Sequence, residues 1–86
     1  MPEVSRFLGI IITFNYDEHN PPHFHVKYNE HRATFLIKEL AIQNGSLPKK
    51  VISLVLEWAY EHREELLADW ELARAEQPLK KIDPLV

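Results

Sequence analysis

The sequence predicts an α+β fold, an N-terminal antiparallel sheet of three to four strands packed against one long or two consecutive C-terminal helices. Three observations predict it. Apolar residues recur with period two through residues 1–43 and with a period near 3.6 over the following stretch. Runs of polar and proline residues punctuate the first part, and Pro78 closes the second. With 86 residues and no internal repeat or linker, the chain reads as a single domain: residues 1–43 a β-meander, 46–77 helical, 78–86 a tail.

In the segment from Phe7 to Tyr16 the even positions Leu8, Ile10, Ile12, Phe14 and Tyr16 are all apolar, which makes that face the core candidate. Asp17-Glu18-His19-Asn20-Pro21-Pro22 then breaks the strand, because proline cannot donate to a ladder and restricts the residue before it. His23 to Tyr28 alternates again. If Asn29-Glu30 is a two-residue hairpin loop, Tyr28 faces His31, Lys27 faces Arg32, Val26 faces Ala33 and His25 faces Thr34. One face then carries Phe24, Val26, Tyr28, His31, Ala33, Phe35 and Ile37, and the other His23, His25, Lys27, Arg32, Thr34 and Leu36. A slip of one residue scrambles both faces, so the pattern itself argues for the register.

Leu40 to Ile42 offers a fourth strand before Asn44-Gly45 turns the chain, and Ser46 is the expected helix N-cap with Pro48 in the first turn. Val51, Ile52, Leu54, Val55, Leu56, Trp58 and Ala59 cover most of the helix that follows, which should lie across the sheet as the main core element. Leu66, Leu67, Trp70 and Ala73 continue an apolar stripe. A straight helix over 47–77 would run about 46 Å at about 1.5 Å per residue, so a break or bend is expected near His62 to Glu65. The tail offers Leu79, Ile82 and Leu85 for packing on an open sheet edge or on another chain.

No apolar run approaches the roughly 18 residues of a membrane span, and Met1-Pro2-Glu3 lacks the basic start of a secretory signal, so the expected location is cytoplasmic. The lack of Cys removes thiol catalysis and zinc ribbons and leaves His and carboxylates for any metal. The net charge of −3 is unevenly placed, +1 over residues 1–50 and −4 over 51–86. His19, His23, His25 and His31 all fall in the less acidic half, where an anionic ligand would bind.

Two chemistries suit that half. His23, His25, Lys27 and Arg32 together form a cationic, proton-transferring patch for a phosphodiester: Arg and Lys offset phosphate charge, a neutral His takes the proton of a ribose 2′-hydroxyl, and a protonated one returns it to the leaving oxygen. The overall acidity, with a sequence pI near 5.9, weighs against a nucleic-acid binder. The other chemistry is a metal: His23 and His25 share one strand face, and His19 from the preceding loop supplies a third ligand. Either way, a solvated polar sheet face is the plain alternative. No cofactor is expected, and a divalent metal is the exception to be tested. The run Glu57, Glu61, Glu64, Glu65, Asp69, Glu71 and Glu76 reads as a solvated face or as a docking surface for a basic partner.

The stretch Asp17-Glu18-His19-Asn20-Pro21-Pro22-His23-Phe24-His25-Val26 resembles the small bacterial family known as domain of unknown function 4160. The likeness continues through Gly45-Ser46-Leu47-Pro48, Val55-Leu56-Glu57-Trp58-Ala59, His62-Arg63-Glu64-Glu65-Leu66, Trp70 and Ile82-Asp83-Pro84-Leu85. The departure is the hairpin loop Asn29-Glu30, where a glycine is expected. The resemblance implies a genomic setting beside a second family, domain of unknown function 2442, in an arrangement similar to a type II toxin–antitoxin pair. Under it this chain is the toxin-like member, a ribonuclease-type toxin or another agent acting on RNA or translation. The expected partners are the antitoxin-like protein of that second family, RNA or the ribosome, and a second copy of the chain, with no membrane. A non-enzymatic module docking a partner through its acidic helix and tail, and a small His-ligated metalloprotein, are the competing readings.

Overall fold

The computed structural model describes residues 2–16 and 18–86, and it opens on a hairpin that apolar alternation conceals. Leu8 and Gly9 take positive φ, 53° and 79°, the combination that closes a two-residue hairpin of the I′ type. The expected Phe7–Tyr16 strand is therefore cut, with β1 (Glu3–Phe7) on one side of the turn and β2 (Ile10–Thr13) on the other. The chain goes on through β3 (His23–Tyr28), β4 (His31–Leu36) and β5 (Ala41–Gly45) to α1 (Lys49–Glu61) and α2 (Arg63–Arg74). All neighbours are antiparallel in the order β1-β2-β3-β4-β5, five strands where three to four are expected.

The β3–β4 register is the one the sequence predicts: Tyr28 opposite His31, Lys27 opposite Arg32, Val26 opposite Ala33, His25 opposite Thr34. Of the two loop residues, Asn29 takes the positive φ of 53°. Asn tolerates that region better than other non-glycine residues, and Glu30 is spared it. The core face follows. Ile10, Ile12, Phe14, Phe24, Val26, Ala33, Phe35 and Ile37 are all buried beneath the helices, while Leu8 and Tyr16 at the ends of the expected stripe are exposed.

Trp58 of α1 is fully buried at the centre, its ring 5.5 Å from Phe7 and 6.1 Å from Phe24. Around it lie Val51, Val55 and Ala59, with Ile52, Leu54 and Leu56 half-buried. The longest dimension is 33 Å, too short for a 46 Å rod, and the helix breaks where expected. His62, at φ −118° and ψ 23°, leaves the helical region while its N–H is shared between the Trp58 and Ala59 carbonyls. Its ring bonds the Glu65 carboxylate at the head of α2. Leu66, Trp70 and Ala73 face the core as predicted.

Two expected boundaries move. Ser46 is no helix cap: its N–H still donates to Arg32 across the sheet at 3.1 Å, and α1 starts after Pro48 with no side-chain cap. At the other end α2 stops at Arg74, before Pro78. Glu76 at φ 56° and the bonds Glu76 N–H to Ala73 O and Gln77 N–H to Leu72 O close it in the Schellman pattern.

The tail serves this fold. Ile82 is buried and its N–H donates to Val4 O at 2.8 Å, covering the β1 edge, and the Trp58 indole N–H donates to Asp83 O at 2.8 Å. Asp69, 1% exposed, accepts the Lys80 N–H at 2.9 Å. Burial pushes its carboxyl above the usual range against the lowering effect of that bond.

Gly45 and Gly9 separate two kinds of glycine requirement. A Cβ on Gly45 (φ 86°) would stand 2.3 Å from the Arg32 carbonyl oxygen and 2.7 Å from Ala33 Cα, whereas one on Gly9 meets only the Tyr28 ring at 3.6 Å. Gly9→Ala should cost about 1–2 kcal/mol, the left-handed penalty alone, and Gly45→Ala clearly more, read as urea midpoints at constant m-value. Asp69 supplies a pH test. With its folded pKa raised, its ionisation opposes folding: the penalty is absent below the unfolded value of about 3.9 and grows as pH rises through the raised one. The stability difference between wild type and Asp69→Asn should therefore shift in favour of the wild type as pH falls from about 7 to about 4.

Candidate functional site

The loop between β2 and β3 returns onto the start of β3 and is tied to the sheet by the Ile37 N–H, which donates to Pro22 O at 3.0 Å. Its Asn20–Pro21 peptide is cis. Within it the His23 ring donates from Nδ1 to Pro21 O at 2.8 Å, which fixes the tautomer and leaves Nε2 facing Glu18. His23 is only 8% exposed, its ring 4.9 Å from Trp70 of α2 and 5.2 Å from His25, edge to face.

His25 lies one strand in from each neighbour, paired with Thr13 of β2 and Thr34 of β4. Its Nε2 is 2.7 Å from Glu18 Oε1 and 3.2 Å from Asn15 Nδ2, and its Nδ1 is 3.3 Å from the Thr34 hydroxyl. Glu18 Oε1 is the hub, 3.3 Å from His23 Nε2 and 3.0 Å from Asn15 Nδ2 as well. Partial burial alone would raise the Glu18 carboxyl, but the hydrogen bonds from His25 and Asn15 outweigh it and hold it below the usual range. The side chains of Glu18 and His25 are 27% and 26% exposed, enough to reach a ligand.

From His25 an open groove of about 400 Å³ runs along the helix-free face of the sheet, lined by Thr13, His25, Lys27, Arg32, Thr34 and Asn44. Lys27 and Arg32 are directly opposite each other and exposed, and among the described residues neither meets a carboxylate. Like charges in that relation destabilise a sheet, so an anion laid across them would relieve a standing repulsion.

The structure thus brings His25, Lys27 and Arg32 to one groove and turns His23 inward, behind His25. His19 is exposed and stands outside the cluster, whose third metal-type donor is Glu18. Asp17 lies outside the described residues. Glu18, His23 and His25 each offer one donor atom, all within 4.8 Å of one another, and these three could hold a metal ion. Spacing alone does not single out Glu18, Asn15 or Thr34. The first two depend on how a proline loop folds back, and only Thr34, opposite His25 in the predicted register, carried a usable signal.

The sequence model of a family described as Domain of unknown function (DUF4160) matches residues 9–71, a span holding every cluster and groove residue. No curated protein and no solved structure matches the chain.

His23 and His19 separate packing from exposure. His23→Ala removes a buried ring from Trp70 and a hydrogen bond from Pro21 O and should cost about 2–3 kcal/mol. His19→Ala, at an exposed loop position, should stay within about 0.5 kcal/mol of wild type in the same urea titration.

Proposed function

The chain belongs to the DUF4160 family, and on the site built by the matched residues we propose that it is the toxin-like component of a bacterial type II toxin–antitoxin module. In this reading it acts in the cytoplasm on RNA, laid along the groove beside His25. The observation that carries the reading is the cross-strand Lys27–Arg32 pair, two cations on an open sheet face that meet no carboxylate among the described residues. In an otherwise acidic chain, an anionic ligand is what makes use of them. Successive phosphates of a single strand would occupy this pair, while Thr13, Thr34 and Asn44 offer hydrogen-bonding groups along the same groove.

His25 is then the proton-transfer group. Glu18 accepts its Nε2–H and stabilises the imidazolium, as a carboxylate does behind any His base. Nδ1, beside the Thr34 hydroxyl at the groove, takes the proton of a ribose 2′-hydroxyl. The 2′-oxygen bonds to phosphorus, the P–O5′ bond breaks, and the proton passes to the leaving 5′-oxygen, giving a 2′,3′-cyclic phosphate and a 5′-hydroxyl. His23 packs behind this pair, its ring against His25 and Trp70.

A protein-binding role has its own support, the exposed acidic residues Glu57, Glu61, Glu64, Glu65 and Glu71 on the helices. Ile82 and Asp83 of the tail are engaged within the fold, and the helical face is the surface we assign to the antitoxin-like partner of the domain of unknown function 2442 family.

Binding of labelled single-stranded RNA against salt tests the groove. Lys27→Gln/Arg32→Gln should flatten the slope of log K against log salt by about 1.4, two contacts at about 0.7 each, with its urea midpoint at or above that of wild type because the like-charge pair is gone. In a bacterial host the wild-type chain should arrest growth, and His25→Ala at matched soluble level should relieve the arrest. An unchanged salt slope would sink the groove, and arrest by both chains would remove His25 from the chemistry.

A further inference from the structure

We infer that Glu18, His23 and His25 form a binding site for one zinc-like divalent transition-metal ion, with the Asn15 carboxamide oxygen as fourth donor. The distances are already close to those of a coordination shell. Two ligands each about 2.0–2.1 Å from a tetrahedral ion stand about 3.3 Å apart, and Glu18 Oε1 lies 3.3 Å from His23 Nε2 and 2.7 Å from His25 Nε2. All three donor atoms fit within 4.8 Å. Movements of about 1 Å or less would seat the ion.

The outer ring nitrogens are arranged as they are behind metal-bound histidines. His23 Nδ1–H is held by the Pro21 carbonyl at 2.8 Å, and His25 Nδ1 stands 3.3 Å from the Thr34 hydroxyl. Both imidazoles therefore turn Nε2 toward the same carboxylate oxygen.

Asn15 adds an independent observation. Its Nδ2 is 3.2 Å from His25 Nε2, which is also 2.7 Å from Glu18 Oε1. In a neutral ring, Nε2 cannot both donate to the carboxylate and accept from the amide, so one contact is unsatisfied. Meanwhile Asn15 Oδ1 is buried with no hydrogen-bond partner. Turning the carboxamide by a half-rotation exchanges N and O; it gives up the Nδ2–H bond to Glu18 Oε1 at 3.0 Å and brings Oδ1 into the cluster, where a cation would take its lone pair. Two imidazoles, a carboxylate and a carboxamide oxygen suit zinc, cobalt, manganese or iron(II), whereas magnesium and calcium favour all-oxygen shells. Ligation through Nε2 leaves Nδ1–H donating to Thr34, so a bound ion would withdraw His25 from the proton transfer described above. That consequence rests on the proposed function, and the site itself does not.

Cobalt(II), added alone to the metal-free full chain, tests the site without RNA. The expected result is visible d–d absorption saturating at one ion per chain, bleached by zinc, with affinity lowered at least about tenfold in Glu18→Gln and in His25→Ala. Asn15→Ala should weaken binding and alter the band shape, and His19→Ala should bind as wild type. Circular dichroism establishes that each variant is folded. The site is overturned by the absence of saturable binding below about 1 mM, by wild-type affinity in both Glu18→Gln and His25→Ala, or by loss of binding in His19→Ala. Growth arrest or RNA binding that fails while cobalt still binds refutes the proposed function and leaves the metal site standing.

Discussion

The pairing of β3 with β4 is the constraint on which both halves of the molecule depend. With two residues in the loop, the register puts Phe24, Val26, Ala33 and Phe35 under the helices and His25, Lys27, Arg32 and Thr34 on the opposite face. Shifting it by one residue would turn one strand's residues over and mix the two sets. The energies are lopsided. Setting Lys27 against Arg32 costs some tenths of a kcal/mol to about 1, while each large apolar side chain buried on the other face contributes about 1.5–3 kcal/mol. The core therefore holds the cations together against their repulsion, and the site is positioned by residues that never touch it.

A chain this short has few ways to complete its core, and the tail supplies one of them. Ile82 pairs with Val4 on the outer edge of β1, and Asp83 receives the indole N–H of Trp58, so the last residues close over the same tryptophan that centres the sheet–helix contact. The break at His62 belongs to the same economy. It folds what would be a single rod back within the 33 Å long axis and brings Trp70 against His23. The second helix thus packs the core along one stripe and steadies the site at its end.

Much of this was readable in the residues because it rests on periodicity. The hairpin register, the buried stripe from Ile10 to Phe14 and the helix break near His62 follow from side-chain alternation and from length. The first strand was not readable. Leu8 and Gly9 sit inside an unbroken apolar alternation, and the turn they make sets Phe7 opposite Ile10, so Phe7 reaches the core from the strand before the turn. Ser46 had the chemistry of a cap, but ladder pairing with Arg32 claimed its backbone first. The same limit applies to the site. His25, Lys27 and Arg32 lie on a strand pair and were placed by counting, while Glu18 and Asn15 depend on the path of the proline loop, and His19, nearer in sequence, is exposed and outside the cluster.

The chemistry of the cluster turns on which nitrogen of His25 carries the proton. With Nε2 protonated, Glu18 is satisfied, Nδ1 is a base at the groove, and Asn15 is left facing a donor. With Nδ1 protonated, Thr34 accepts, and both Nε2 atoms with Oε1 present lone pairs to one point, an arrangement that repels itself unless a cation occupies it. The two states share every residue and differ in the position of one proton and in one amide rotation. His23 is locked in a single tautomer by Pro21, so the choice falls to His25 alone, at the junction between the buried cluster and the open groove. A ligand on either side of that ring, an ion behind it or a phosphodiester before it, thus selects the state that the other must contend with.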